Sequence, residues 1–589
     1  MKRILLIVAL CAVAYAQLLE ERLAVLPKFD LKSQMSEEVK KFVEENSGET
    51  QRNYKTINVK RDVLGRRTLD SVLYKVDLSK EAKMKVLVSF AWIPTTDLEP
   101  LTGRYESGAY HGLGKRYWLN GVEMDESKYL QKYGYERVKR KSRSSAYRAP
   151  YVANLTADEI KNLMDGPEIV YVSEYMQQKP ASNDTTVGER VYYKDSVIRV
   201  QSQIQTLAFT YGYKGNGIGV YFNETGCPNL NYVNQSLYTQ GNTCDHGTRT
   251  HPTGVVRVLQ TTAPQAMVYG FDELSWPTDP LDYTPPIYIG SHSWSVSTDS
   301  VYLQVDELMD DYIFSTGVIE FICAGNRNSS GETHYVSSPG KAVNAITVGA
   351  IEPDTYKYAT YTRWKNSAVK NQKPEVPNFS HFYFEGDAPF SIMENGLWKT
   401  YNGTFDGTSA STPYTAAMAA DVLSQHPFFK THPEMFKALM MTGSTVQITG
   451  ASTRDRDNYS RIKRIPQYSN MGWDTRSAYW NGSNSSFFGT DSTISFVETE
   501  IVSGAHYRIA ISWLSSGGYV RSNKMLPQDM DLFIYQNGQL IDSSESPDNP
   551  FELVDFTTSS SSDLTIVVKR KRNAGGDQIA LGYNLAKIN

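Results

Sequence analysis

The spacing of apolar and polar positions divides the chain into four stretches of different character. Residues 18–80 are rich in charge, with helical spacing around Ser36 to Glu45 and few long apolar runs. From Lys85 the run Val86-Leu87-Val88-Ser89-Phe90-Ala91-Trp92 predicts a strand. Further on, Tyr151 to Leu155, Thr156 to Met164 and Ile169 to Val172 predict a second strand, a helix and a third strand. Thr156 with Glu159 three residues later predicts a capping box at the start of that helix. Pro180 to Val200 is a polar connector. Beyond it, Gly217 to Phe222, Ala266 to Phe271, Val318 to Cys323 and Ala345 to Ala350 predict strands interleaved with helical stretches. That alternation is the signature of an α/β fold, a mostly parallel sheet with helices on both faces. From about Ser485 the period shortens again. Tyr507 to Trp513, Met530 to Tyr535 and Leu564 to Lys569, separated by Ser, Gly, Asn and Pro turns, predict an all-β sandwich.

Composition narrows the class. The chain has 589 residues, enough for about three to five domains at ~150 residues each. With 40% hydrophobic and 21% charged residues it has the apolar surface for several cores and is far from a disordered composition. Sixty Lys plus Arg against 64 Asp plus Glu leave a net charge of −4, so nothing electrostatic points to nucleic acid as a partner. The first residues set an address: Lys2 and Arg3, an apolar run Ile4 to Val13, then Ala14 and Ala16 around Tyr15 read as a signal peptide over residues 1–16. The apolar run is shorter than the roughly 20 residues a bilayer needs, which argues against a membrane span. Export permits disulfides and N-glycans, with sequons at Asn154, Asn183, Asn223, Asn234, Asn328, Asn378, Asn402, Asn458, Asn481 and Asn484. Asn223, at the end of a strand expected to be buried, is a poor acceptor.

The chemistry concentrates at Gly407-Thr408-Ser409-Ala410-Ser411-Thr412-Pro413, ahead of the Ala-rich helix Tyr414 to Leu423. A serine at a helix start sits among unpaired backbone N–H groups at the positive end of the dipole, which favours negative charge developing on a bound carbonyl. Gly-Thr-Ser-x-Ser-x-Pro resembles the nucleophile motif of the subtilisin-like serine proteases, and that family's other motifs stand upstream in its usual order. Ile322-Cys323-Ala324-Gly325-Asn326 resembles the strand end that presents the oxyanion-hole asparagine. Ser291-His292-Ser293-Trp294-Ser295 resembles the extended substrate-binding segment, with Ser295 where the family usually has Gly. The resemblance therefore implies Ser409 as nucleophile, Asn326 as oxyanion donor, and Ser293, Trp294 and Ser295 as substrate-binding residues.

Two histidines compete for the role of base within Asp245-His246-Gly247-Thr248-Arg249-Thr250-His251-Pro252-Thr253. His246 carries the more familiar His-Gly-Thr tripeptide, but the helix that follows the family's histidine would then contain Pro252, which removes a hydrogen bond and clashes. His251 puts Pro252 in the first turn, where proline is tolerated, and is the preferred choice, with His246 in a structural role. The acid departs from the family. Glu224, in Asn223-Glu224-Thr225-Gly226 after the strand Ile218 to Phe222, stands where aspartate is expected. Its extra carbon–carbon bond adds about 1.5 Å, so either the backbone compensates or the site is impaired. Sedolisins, a related family, use a glutamate base but an aspartate in the oxyanion hole; Asn326 favours the subtilisin arrangement. The departures at Glu224 and Ser295 keep a catalytically impaired pseudoprotease, binding peptides or partners, as the alternative, with a structural glycoprotein behind it.

The resemblance also organises the flanks. Residues 17–190 correspond to a propeptide region, with a ferredoxin-like α+β part over about 85–178 that would assist folding and act as the protease's own inhibitor. Residues 195–484 correspond to the catalytic domain, and 485–589 to an appended β-sandwich. The basic stretch Arg137 to Arg143 reads as a solvated loop or a dibasic processing site. Cys227 and Cys244 flank the loop between the acid strand and the histidine helix and are expected to form a disulfide; Cys323 is expected to be a free core thiol. No metal-ligand cluster, phosphate-cradling loop or dinucleotide fingerprint is present, so no cofactor is expected. The implied function is a secreted serine endopeptidase acting on protein or peptide substrates.

Overall fold

The computed structural model describes residues 34–46, 82–90, 151–164, 169–174 and 179–180, a few short strands between 54 and 123, and residues 191–588 apart from brief gaps and the stretch 449–463. The expected signal peptide and the basic stretch 137–143 lie outside the described residues.

Among the described residues, the N-terminal module is a four-stranded sheet with two helices. Its elements are β1 (Gln34–Met35), α1 (Glu37–Asn46), β2 (Lys83–Phe90), β3 (Tyr151–Thr156), α2 (Ala157–Met164) and β4 (Ile169–Glu174), with strand order β1-β4-β2-β3. The capping box of α2 forms as Thr156 and Glu159 suggest: the Thr156 N–H donates to Glu159 Oε2 at 2.8 Å and the Glu159 N–H to Thr156 Oγ1 at 3.2 Å. β1 and α1 come from the charge-rich stretch ahead of Lys85. They join because Val39 and Val43, four residues apart on one face of α1, are buried while the charges face out. A two-residue strand, β5 (Lys179–Pro180), follows the module.

The central module is built on seven parallel strands. In chain order its elements are β6 (Gly219–Glu224), β7 (Tyr238–Gln240), α3 (Thr250–Thr262), β8 (Met267–Asp272), β9 (Ile287–His292), β10 (Trp294–Ser295), α4 (Gln304–Thr316), β11 (Ile319–Cys323), β12 (Ile346–Ile351), β13 (Val376–Phe379), the hairpin β14 (Phe390–Glu394) and β15 (Leu397–Tyr401), α5 (Thr408–Gln425) and α6 (Pro433–Thr442). The sheet order is β7-β8-β6-β9-β11-β12-β13, all pairs parallel. Parallel strands buried on both faces need apolar residues at consecutive positions, and the sequence supplies them. Val220, Phe222, Ile289, Phe321 and Val348 pack toward α3 and α5, whereas Tyr221, Phe271 and Ile322 pack toward Met309 and Tyr312 of α4. Burying each such side chain contributes about 1.5–3 kcal/mol.

The C-terminal module stacks two antiparallel sheets. One is β21 (Phe551–Thr557), β18 (His506–Trp513), β23 (Gln578–Ile588) and β16 (Thr475–Ser483), with Leu101–Arg104 at its edge; the other is β17 (Thr493–Glu498), β22 (Leu564–Asn573), β19 (Gln528–Gln536) and β20 (Gln539–Ser544). A short helix, α7 (Gly517–Asn523), links β18 to β19. The sandwich begins ten residues earlier than its turn-rich composition suggests, because β16 pairs along its whole length with Gln578 to Ala586 of β23.

Candidate active site

The carboxyl ends of the central strands converge on one place. Glu224 is the last residue of β6, and its carboxylate is buried, 1% exposed. His251 is the second residue of α3, with Pro252 directly after it inside the first turn. The two meet: His251 Nδ1 lies 2.9 Å from Glu224 Oε2. The longer acid therefore reaches the imidazole without a gap, the backbone having accommodated the extra methylene. Two buried atoms of this pair, Glu224 Oε1 and His251 Nε2, have no hydrogen-bond partner. Buried polar atoms are nearly always satisfied, so an unpaired ring nitrogen marks a position a reacting group can fill.

His246 goes elsewhere. Its Nδ1 lies 2.9 Å from Asp272 Oδ1 and its N–H donates to Asp272 Oδ2 at 2.9 Å, anchoring the loop ahead of α3 to the end of β8. The same carboxylate accepts the Gly226 N–H at 2.7 Å. The loop is closed by a Cys227–Cys244 disulfide. Cys227, Cys244 and Asp272 bring possible metal-ligating atoms together, but the two sulfurs are bonded to each other.

Helix α3 is capped from a distance. Glu394 of the β14–β15 hairpin accepts from the Thr250 N–H at 2.8 Å and from Thr250 Oγ1 at 3.1 Å. A carboxylate at the positive end of a helix satisfies an orphan donor and complements the dipole, and here it steadies the turn that carries His251. No local motif marked Glu394, since it lies 144 residues from Thr250.

Ser409 is the second residue of α5 and is fully buried. It follows Gly407, whose φ of +81° lies in the region that favours glycine. Its neighbour Thr408 ties the helix to the segment after β11: the Thr408 N–H and Oγ1–H both donate to Asn326 Oδ1, at 3.0 and 2.9 Å. That contact orients the amide, leaving Nδ2 as its donating end. The Ser293 hydroxyl donates to the Ser409 carbonyl at 2.9 Å, and the Ser409 hydroxyl donates to the Ser293 carbonyl at 3.4 Å. Ser293 and Trp294 turn their side chains into the protein, so this segment presents backbone, and its β10 pairs antiparallel with β5: Lys179 opposite Ser295, Pro180 opposite Trp294.

Cys323 is a free, buried thiol at the end of β11, donating to the Trp294 carbonyl at 3.4 Å. Burial, with the nearby Glu224 charge, pushes it up to about 12, so it stays a neutral packing group. Three buried polar residues to which the sequence assigned no role, Tyr221, His292 and Glu320, lie on adjacent strands of the sheet, and His292 directly precedes Ser293.

A parallel sheet with helices on both faces, a histidine–carboxylate pair at the strand ends and a serine at a helix start are the parts expected of an α/β serine hydrolase. Comparison with known proteins is more specific. Residues 273–465 match the model of the subtilase family; that stretch holds Asn326 and Ser409 and begins after Glu224 and His251. Subtilisin NAT of Bacillus subtilis subsp. natto is 26% identical over 302 residues, 47% of this chain and 70% of that protein. A subtilisin of Bacillus pumilus is 27% identical over 253 residues, 38% of this chain and 84% of the relative. A cuticle-degrading serine protease of Arthrobotrys oligospora is 26% identical over 312 residues, covering 46% and 68%. Among solved structures, fervidolysin of Fervidobacterium pennivorans aligns over 80% of this chain and 69% of its own with a TM-score of 0.41 and 13% identity. Residues 273–465 are thus similar to the subtilase family, and the chain is similar to subtilisin-like serine-type peptidases.

Proposed function

We propose that the protein is a secreted serine endopeptidase in which Ser409 is the nucleophile, His251 the base, Glu224 the orienting acid and Asn326 an oxyanion donor. The observation that carries this reading is the Glu224–His251 contact at 2.9 Å, made by a histidine whose other ring nitrogen is buried and unpaired. Ser409 Oγ attacks the peptide carbonyl carbon as its proton passes to His251 Nε2. Glu224 holds Nδ1–H and stabilises the imidazolium. The carbonyl oxygen, now an anion, is received by Asn326 Nδ2 and the Ser409 backbone N–H; losing one such donor costs about 10²- to 10³-fold in turnover. As the tetrahedral carbon collapses, Nε2 returns the proton to the leaving amine, and water repeats the sequence on the acyl-serine.

The N-terminal module acts as the protein's own inhibitor in this reading. Support comes from β5, which occupies the edge of β10 as an extended peptide substrate would, by strand addition. Export permits glycosylation. Asn154, Asn234 and Asn402 are exposed acceptors, whereas Asn223 and Asn378 are wholly buried and unsuited to carry a glycan.

Fluorophosphonate labelling of the secreted, processed protein tests the assignment, with peptide mapping and Ser409→Ala as control. Labelling at Ser409, lost in the variant, is the expected result. One observation favours a second reading, a peptide-binding pseudoprotease: the Ser409 hydroxyl points to the Ser293 carbonyl and makes no hydrogen bond to His251. Rotation to another χ1 well would redirect the hydroxyl in an active enzyme. Absence of labelling in folded, processed protein, beside a subtilisin that labels, selects the pseudoprotease.

A further inference from the structure

Directly beneath the substrate-facing segment lies a polar cluster that the proposed mechanism does not use. Tyr221, His292 and Glu320 sit on three neighbouring strands, β6, β9 and β11, and all are about 0–1% exposed. The Tyr221 hydroxyl donates to Glu320 Oε1 at 2.7 Å, His292 Nε2 lies 2.7 Å from Glu320 Oε2, and the Tyr221 hydroxyl is 3.1 Å from Nε2. A carboxylate at Glu320 accepts at both oxygens, and the matching His292 tautomer carries its proton on Nε2. The sheet register explains the assembly. Tyr221 pairs with Gly290, and Gly290 pairs with Glu320, so the three share a row across the sheet. Gly290 keeps the middle of that row empty: a Cβ there would fall 1.8 Å from Glu320 Oε2 and 2.6 Å from the Tyr221 ring. His292, two residues along β9, faces the same side and closes the cluster.

A carboxylate in the buried face of a sheet costs several kcal/mol of desolvation unless it is paired and hydrogen-bonded. Phe271 and Tyr312 pack edge-on against Tyr221 on this face, in a hydrophobic cluster that also holds Ile322. A hydrophobic triple would fill the same space, so packing alone does not account for these three side chains. What distinguishes the place is the next residue. His292 leads into Ser293, which exchanges hydrogen bonds with Ser409, and the His292 ring stands edge-on to Trp294 with centroids 5.9 Å apart. His292 Nδ1 is buried without a hydrogen-bond partner, so among the described residues the ring's hydrogen bonds come from Glu320 and Tyr221.

We propose that Tyr221, Glu320 and His292 form a positioning unit: the Glu320 carboxylate locks the His292 imidazole, and through it sets the height and direction at which Ser293 to Ser295 offer their backbone to an extended peptide. The inference rests on the reading of Ser293–Ser295 as the substrate-binding segment. It concerns recognition of the peptide backbone and adds no group to the chemical step, so its effect belongs in affinity for extended peptides.

The test uses the full secreted and processed chain in two forms. In active protein, Glu320→Gln and Tyr221→Phe should raise KM for a tetrapeptide amide about tenfold and about threefold, with kcat changing less than about threefold, as expected for neutralising the carboxylate that both neighbours bond and for removing one of those two bonds. In the Ser409→Ala background, where no turnover is needed, the same substitutions should weaken binding of a peptide spanning residues 175–182 by the same factors. Tyr221→Phe removes one oxygen and keeps the packing, so it remains informative if Glu320→Gln does not fold. A fall in kcat with KM unchanged, or unchanged peptide affinity in the Ser409→Ala background, overturns the proposal. Failure of the peptidase reading would instead show in the parent protein, as absent labelling with peptide binding and its dependence on Glu320 intact.

Discussion

In the proposed reading, Glu224 stands where aspartate is expected, and that is the residue-level departure with most bearing on activity. Because Glu224 Oε2 already lies 2.9 Å from His251 Nδ1, shortening the side chain withdraws the carboxylate by about 1.5 Å and breaks the contact. Glu224→Asp, although it restores the common residue, is therefore expected to lower kcat/KM by about tenfold or more; an increase would show that the backbone does not favour glutamate. Glu224→Gln keeps the length but presents an amide that can impose the wrong imidazole tautomer, and a loss approaching 10⁴-fold in kcat is expected by analogy with triad acids elsewhere. A second residue, Asp421 in the middle of α5, is fully buried with neither carboxylate oxygen hydrogen-bonded. Burial holds its carboxyl well above the usual range. The folded state thus retains a proton that the unfolded chain releases above about pH 4, so stability falls as pH rises through that window. Asp421→Asn should raise the melting temperature at pH 7, and the gain should shrink as pH approaches 4. A constant difference between the two proteins across that range would refute the argument.

Elements show what sequence can and cannot reveal. Four of the seven strands of the central sheet, β6, β8, β11 and β12, and the helix carrying Ser409 were legible because each is a continuous apolar or Ala-rich run, and the capping box of α2 because both partners lie within four residues. The start of α3 followed from the effect of one proline on one helix turn. Glu394 at the helix start and the row Tyr221-Gly290-Glu320 were not legible, since register and long-range approach exist only once strands have paired. Strand β16 was missed for a similar reason. Its Thr475-Arg476-Ser477 opening is polar, and its strand state is imposed by β23. The Cys227–Cys244 bridge links the end of β6 to the loop before α3, a sequence separation of 17 residues. Closing a loop of that length is worth about 3 kcal/mol by the chain-entropy estimate. Cys227→Ala/Cys244→Ala should therefore lose about that much stability by denaturant titration, while the Glu224–His251 pair, held by β6 and α3 themselves, keeps part of the activity.

On the scale of the whole molecule, the sandwich and the central module share their interiors. Leu514 and Ala580 of the sandwich pack in the same cluster as Met309 and Tyr312 of α4, while Ala510, Phe551 and Leu553 pack with Ala438 and Met441 of α6. Polar groups cross the boundary as well. Asn344 exchanges two hydrogen bonds with the Ser515 backbone, both 2.8 Å, and Asp311 accepts the Gly517 N–H at 2.9 Å. Arg521 of α7 ion-pairs with Glu307 of α4, 3% exposed on its side chain. Burial raises the Glu307 carboxyl and the Arg521 charge opposes that rise. Neither module can leave without exposing the other's core and stranding a charge. The processed chain is therefore expected to unfold in one calorimetric transition, and two separable transitions would show that the modules are independent. Arg521→Leu sharpens the test, because removing one partner of a buried pair typically costs about 3–5 kcal/mol. In the variant Glu307 takes up a proton more readily in the folded than in the unfolded state, so its stability deficit should be largest near neutral pH and narrow as pH falls toward 4. If the deficit appears only in a late, sandwich-specific transition, the shared core does not couple the two modules.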